Sequence, residues 1–208
     1  MSDLRSACCM LHSQEQTMIP DLQPALAALT SGLLVGVPTE TVYGIAADPF
    51  SAAAVDGLFA LKGRPEDRPI PLLAAGVSAA TAVARFDERA YEAAERHWPG
   101  AITLVLPRAA GVPSWLGDPE RHSIGVRVPD HSVALALLEA AGPLAVTSAN
   151  RSGGKPAVDD AEARAAFGDA VSVYLAGSGL GGVPSTIVDL TGPVPRVLRR
   201  GPVVWPGI

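Results

Sequence analysis

The chain has 208 residues, 48% hydrophobic and 18% charged, which excludes intrinsic disorder and allows a full core without disulfides or metals. Its net charge of −5 has the wrong sign for a protein whose main task is to grip a nucleic-acid backbone. No apolar run reaches the roughly 18 to 20 residues that span a bilayer, and the two cysteines, Cys8 and Cys9, are adjacent, a usage that fits a reducing, cytoplasmic compartment.

Residues 1–18 show neither a basic region followed by an apolar block nor a helical stripe, and are expected to form a disordered tail. Residues 19–208 are expected to form one domain, because proline and glycine are spread along them without a linker. Asp21 or Thr30 bounds a short first helix. Residues 33–37 (LLVGV) read as a buried strand. It runs straight into P-T-E-T-V-Y-G at residues 38–44, which is denser in hydrogen-bonding groups than a connecting turn requires. Ser51 caps a helix through Leu61, with Phe50 and Val55 as a hydrophobic staple. The apolar stripe of that helix is Val55, Leu58 and Phe59, and Lys62 falls on the same stripe in the last turn. Gly63 then ends the helix. Residues 70–75 form a strand, and Asp87 caps a helix stapled by Phe86 and Tyr91. Strands follow at 101–106 (AITLVL) and 123–128. Asp130 caps a nearly all-apolar, buried helix that stops at Gly142 and Pro143. A short buried strand at 144–147 precedes a helix near 160–167 and strands at 171–175, 186–190 and 197–199. Strands mixed with helices throughout imply a sheet covered on both faces. Some successive strands lack an intervening helix, so the sheet is mixed rather than parallel.

Common nucleotide and catalytic motifs do not explain the polar patches. G-S-G-L-G-G at 177–182 matches G-x-G-x-x-G in letters, but Pro184 and a strand follow it instead of a helix. Gly154 and Lys155 are followed by Pro156, so no P-loop is present. The histidines and cysteines lack metal-ligand spacing, and there is no G-x-S-x-G elbow. Instead, cations gather in small groups that suit a polyanionic small molecule: Lys62, Arg64 and Arg68; Arg121 and Arg127; Arg151 and Lys155; Arg196, Arg199 and Arg200. In L-K-G-R-P-E-D-R-P-I-P (61–71), Lys62 and Arg64 are the candidate catalytic pair for phosphate charge, on a loop that three prolines stiffen. The plainer reading is a solvated helix end. In A-V-T-S-A-N-R-S-G-G-K (145–155), a buried strand opens into Ser148, Asn150 and Ser152, either an anion cradle or an ordinary polar turn. Arg127 lies between valines in a strand, which is costly unless it meets a ligand anion or a structural carboxylate. Ser185 and Asp189, with the Arg196–Gly201 stretch R-V-L-R-R-G, read either as part of a site or as an edge strand protected by charge.

Together and in this order, the motifs resemble the YrdC-like family of L-threonylcarbamoyladenylate synthases. The match comprises P-T-E-T-V-Y-G, K-G-R-P (62–65), S-I-G-V-R-V-P (123–129), S-A-N (148–150), S-T-I-V-D (185–189) and R-R-G (199–201). The resemblance implies a mixed α/β (α+β) three-layer fold: a twisted mixed sheet, helices on both faces and a large cationic cavity. It implies that L-threonine, bicarbonate and ATP give threonylcarbamoyl-AMP and pyrophosphate, for N6-threonylcarbamoyladenosine synthesis in tRNA. ATP would be held by Lys62, Arg64, Arg68, Ser123, Ser148, Asn150, Ala157 and Arg199. Threonine would be held by Thr41, Tyr43, Arg127, Val146 and Ser185, with Arg127 or Arg64 for its carboxylate. Thr39 or Thr41 faces the ligand according to strand alternation, and Thr41 is favoured. The sequence departs from the family pattern at Leu73, where a histidine is common, at Arg68, where an asparagine is common, and at Ala157, which replaces a serine and leaves only backbone for a contact. Mg²⁺ would ride on the ATP phosphates, with no organic cofactor, since no carboxylate cluster offers a cage. A downstream tRNA threonylcarbamoyl transferase complex would take the product, with tRNA itself only an indirect partner. Two competing readings are a structured or double-stranded RNA-binding module using the same cavity, and a carbamoyl-transfer enzyme acting on another amine. An aromatic content of 5% counts against the RNA reading, because stacking platforms need such side chains.

Overall fold

The computed structural model describes residues 19–63, 69–178 and 182–205; Arg64, Arg68 and the expected N-terminal tail lie outside this set. In chain order the elements are α1 (Gln23–Thr30), β1 (Val35–Val37), β2 (Gly44–Ala47), α2 (Ala52–Lys62), β3 (Leu72–Leu73), α3 (Val77–Thr81), α4 (Glu88–His97), β4 (Ile102–Pro107), β5 (Ser123–Arg127), α5 (Ser132–Ala141), β6 (Leu144–Ser148), α6 (Asp160–Phe167), β7 (Val173–Tyr174), β8 (Thr186–Asp189) and β9 (Arg196–Arg199).

Among the described residues the strands form a single nine-stranded sheet in the order β7-β1-β2-β6-β3-β5-β4-β8-β9. Three neighbouring pairs are parallel (β1/β7, β3/β5, β4/β8) and the others antiparallel, so the sheet is mixed as expected. Because successive strand residues face opposite sides, the strands feed two separate cores. Ile45, Leu72, Ile102, Leu104, Ile124, Val126, Ala145 and Val188 point into one core, which also takes Val55 and Leu58 of α2 and Ala90, Ala93 and Ala94 of α4. Val35, Val37, Ala46, Leu73, Leu144 and Val146 point the other way, against Ala25 and Leu29 of α1 and Val133, Leu137 and Leu138 of α5.

The second core includes no residue of β5, β4, β8 or β9. Helices therefore cover one half of that sheet face, while the side chains of the other half border open hollows. This unequal covering creates the site.

Local signals place the helices. The Ser51 hydroxyl accepts from Ala54 N at 3.3 Å and Gly63 closes α2 in the left-handed region at φ 56°, a cap whose loss to alanine costs about 1 kcal/mol. Asp87 caps α4 by accepting from Ala90 N, which holds its carboxyl below the usual carboxylate range. Phe86 and Tyr91 meet with ring centroids 5.2 Å apart, as a staple requires. Two expectations are corrected. The cap of α5 is His131 rather than Asp130, and it makes no side-chain cap bond. Strand β2 was not expected, because Gly-Ile-Ala-Ala has a single β-branched residue and looks weak by propensity. Pairing with β1 on one side and β6 on the other makes it a strand. The P-T-E-T segment is thus the connection of a β1–β2 hairpin.

Candidate active site

The side chains on the uncovered half-face border two adjoining hollows. The first, about 700 Å³ and partly open to solvent, is lined by Thr39, Thr41, Val42, Gly44, Leu73, Thr103, Arg127, Val146, Thr147, Ser148, Ser185 and Arg199, among others. The second, about 790 Å³, includes Val105, Asp118, Arg121, Ser123, Gly125 and Leu198. Pro69, Pro71, Thr103 and Ile187 border both, so the two form one bipartite cleft.

At one end of the cleft, α2 delivers Lys62, only 5% exposed. Its Nζ donates to Ser148 O at 2.7 Å, Ser148 Oγ at 3.1 Å and Asn150 Oδ1 at 2.8 Å. Ser148 Oγ donates in turn to Asn150 Oδ1 at 2.6 Å, and the Asn150 amide donates to the carbonyls of Arg151 and Gly154. The Lys62 carbonyl also accepts from Ser152 N. Helix end and S-A-N turn are therefore tied by both side chain and backbone. Lys62 sits one layer behind Ser148, bringing positive charge to the cleft wall while fixing that wall's shape.

The hairpin connection forms another wall. Thr39 Oγ1 donates to Val42 O at 2.6 Å, so its single proton is committed and the Thr41 hydroxyl is the donor in their 2.9 Å contact. Thr41 Oγ1 also accepts from Arg127 Nη1 at 3.0 Å. Both threonines line the first hollow; Thr41, the favoured one, keeps one lone pair there as an acceptor. Arg127, 6% exposed, reaches Gly100 O through Nε at 3.0 Å, and its Nη2 lies 2.6 Å from Glu40 Oε1. Of the two sequence readings of Arg127, the structural carboxylate partner is present, and the side chain also borders the cleft.

The third wall joins β8 and β9. Arg199 donates through Nε to Ser185 O and through Nη2 to Ser185 Oγ, while Ser185 and Thr103 hydroxyls are 2.9 Å apart. Gly201 explains the end of the R-R-G motif: a Cβ there would sit 2.4 Å from both Pro184 O and Thr186 N. Gly201→Ala is expected to cost about 1–3 kcal/mol by overpacking, measured by urea denaturation, and to loosen Arg199 with it. Strand β9 is also an exposed sheet edge, as the charge-protected reading supposed.

Several expected site residues sit elsewhere. Tyr43 faces the first core, fully buried, and its hydroxyl donates to Leu175 O at 2.7 Å. Burial raises its pKa, so the phenol stays a neutral donor. It is not among the lining residues, and a hydroxyl contact from Tyr43 to a ligand does not fit this placement. Tyr43→Phe is expected to lose about 1 kcal/mol of stability, the net worth of one hydrogen bond, with substrate affinities unchanged. Ala157 uses its backbone internally: its N–H donates to Ala149 O and its carbonyl accepts from Tyr43 N. Ser123 lines the second hollow, Val146 and Leu73 line the first, and Arg64 and Arg68 are outside the described residues. The glycine-rich 177–182 stretch, partly outside them, leads to strand β8 and not to a helix.

Sequence reasoning overlooked Glu40, Thr103 and Thr147 as site residues. Thr103 carried a signal: it is the hydroxyl amid A-I-T-L-V-L, at the alternation position opposite the buried Ile102 and Leu104.

Fold and site define a mixed-sheet α/β protein with an open-faced cleft walled by hydroxyls and guanidinium groups and backed by a buried lysine. The Sua5/YciO/YrdC family model, described as telomere recombination, matches residues 27–201, and the chain belongs to that family. A protein of Mycobacterium tuberculosis is 45% identical over 181 residues, covering 86% of this chain and 83% of its own. A Marinobacter nauticus threonylcarbamoyl-AMP synthase is 39% identical over 176 residues, covering 81% and 92%. The crystal structure of Pyrococcus abyssi Sua5 complexed with L-threonine superposes with a TM-score of 0.81 at 36% identity, covering 85% of this chain and 53% of that longer protein.

Proposed function

We propose that this chain is an L-threonylcarbamoyladenylate synthase, an ATP-using nucleotidyltransferase serving tRNA N6-threonylcarbamoyladenosine synthesis. The observation that carries the reading is the meeting of the Lys62–Ser148–Asn150 cluster with Thr41–Arg127 and Ser185–Arg199 around one cleft. Family membership and the threonine complex of the P. abyssi protein support it.

In this proposal the first hollow takes threonine. Its carboxylate lies toward Arg127, and Thr41 and Ser185 meet its polar groups. Val146 and Leu73 supply apolar wall. ATP lies across Ser148, Arg199 and the second hollow with Ser123. Arg64 and Arg68 are kept as phosphate contacts on the strength of the family motif. Bicarbonate takes up one proton, which carbamate formation returns in the next step, and loses water to give carbon dioxide. The threonine amine adds to it and releases one proton, giving a carbamate. A carbamate oxygen then attacks the α-phosphorus of ATP, and the bond to the bridging oxygen breaks with its electron pair leaving on pyrophosphate. No protein nucleophile takes part. The protein aligns the reactants, excludes water from a carbamate that hydrolyses readily, and places positive charge where negative charge gathers.

Among the described residues no three His, Cys, Asp or Glu side chains gather as a metal site; Mg²⁺ enters as part of the substrate, on the ATP phosphates. The described residues also contain no helix long and apolar enough to cross a membrane. We place the reaction in the cytoplasm, with the adenylate passed to a tRNA threonylcarbamoyl transferase complex and tRNA only an indirect partner. Purified protein with ATP, Mg²⁺, bicarbonate and threonine is expected to release pyrophosphate only when all are present. Release that ignores threonine or bicarbonate would refute the assignment. Arg64→Ala is expected to abolish turnover with the melting temperature little changed.

A further inference from the structure

Glu40 has no part in the mechanism above, yet it is an enclosed carboxylate set between two residues of the cleft wall, Thr39 and Thr41. Its side chain is 13% exposed and that of Arg127 is 7% exposed. Oε1 lies 2.6 Å from Arg127 Nη2. Neither Glu40 oxygen, nor Nη2 itself, has an aligned hydrogen bond among the described residues. The contact is thus a charge pairing. A buried carboxylate is costly unless a countercharge meets it. A sequence that needed only a hairpin connection here would place a neutral residue between Thr39 and Thr41.

The pair completes a three-point hold on the guanidinium. Nε is fixed by Gly100 O ahead of β4, Nη1 by Thr41 Oγ1, and Nη2 by Glu40. Two of these holds come from adjacent residues of the β1–β2 connection. Of the five guanidinium protons, the Gly100 and Thr41 bonds take two, and the group still borders the first hollow. We infer that Glu40 is a positioning residue. It locks the plane of Arg127 so that the second N–H of Nη1 is directed at the hollow, preorganised for the carboxylate of an amino-acid substrate. This rests on the proposed function only in naming that ligand. Preorganising a charged donor lowers the ordering cost of binding and shows in affinity for the group it meets.

The experiment compares wild type, Glu40→Gln and Glu40→Asp, each checked for fold by circular dichroism. Steady-state pyrophosphate release is measured against threonine and, separately, against ATP. Glu40→Gln is expected to raise the KM for threonine about tenfold or more, the scale of one lost charge-assisted hydrogen bond, and to leave the KM for ATP nearly unchanged. Glu40→Asp, which keeps the charge, is expected to recover part of the loss. If Glu40 merely tuned the local charge, removing it would tighten threonine binding; a lower threonine KM overturns the inference, as does an unchanged one or an equal rise for both substrates. A second arm needs no turnover: the Arg127 Nε–H signal in ¹⁵N-labelled protein is expected to exchange slowly with solvent in wild type and much faster in Glu40→Gln. Unchanged protection also overturns the inference. Wild-type protein without threonine-dependent turnover would reject the proposed function, and the exchange arm would still decide the role of Glu40.

Discussion

Replacing Lys62 by methionine is expected to lower kcat/KM by about 10²–10³-fold, the scale of losing one preorganised electrostatic donor. Methionine keeps much of the stem's volume, so α2 still packs; what disappears is the ammonium and its bonds to Ser148 O, Ser148 Oγ and Asn150 Oδ1. Ser148 O keeps the Asn150 N–H and Asn150 Oδ1 keeps the Ser148 hydroxyl, so the loss is that of charge-assisted bonding, about 1.5–3 kcal/mol. Activity and stability are thus predicted to fall together, measured by pyrophosphate release and by urea denaturation on the same preparation. A Lys62→Met protein that keeps near-normal turnover would mean that the S-A-N turn needs no cation behind it, and the phosphate end of the cleft would have to be reassigned.

Arg127→Gln is expected to have the largest effect on stability, about 3–5 kcal/mol, because removing one partner of a buried ion pair strands the other. The stranded group is Glu40, enclosed beneath the hairpin connection. The same change removes the donor to Thr41 and with it the start of the Arg127–Thr41–Thr39–Val42 chain of hydrogen bonds. Threonine affinity is expected to drop well beyond the loss in Glu40→Gln. The double variant Glu40→Gln/Arg127→Gln is predicted to be more stable than Arg127→Gln alone, since no charge is then left unpaired. Denaturation midpoints of the four proteins test this cycle, and strictly additive losses would contradict it.

Much of this was legible in the chain itself. Short apolar runs marked most strands, caps at Ser51 and Asp87 set two helices, and the position of Lys62 on the apolar stripe of its helix already implied a buried ammonium. The charge between two valines at the end of β5 announced that Arg127 needed a partner. The motifs were legible as words, but not the direction in which each side chain points. Tyr43 and Thr41 stand two residues apart in the same motif. Tyr43 serves the core and Thr41 serves the cleft, because the chain turns into β2 between them.

Strand β2 and the identity of the partner of Arg127 were decided only by tertiary structure. A short stretch of small residues becomes a strand when neighbours on both sides supply its hydrogen bonds, and no local propensity records that. Likewise Glu40 and Arg127 are 87 positions apart in the chain, and nothing in either neighbourhood states that they meet. Periodicity reports which face of its own strand a residue occupies; it is silent on which strands lie side by side and on where a helix layer stops. The cleft exists because α1 and α5 cover one half of a sheet face and leave the other half open, a consequence of strand order, which contacts between distant segments determine.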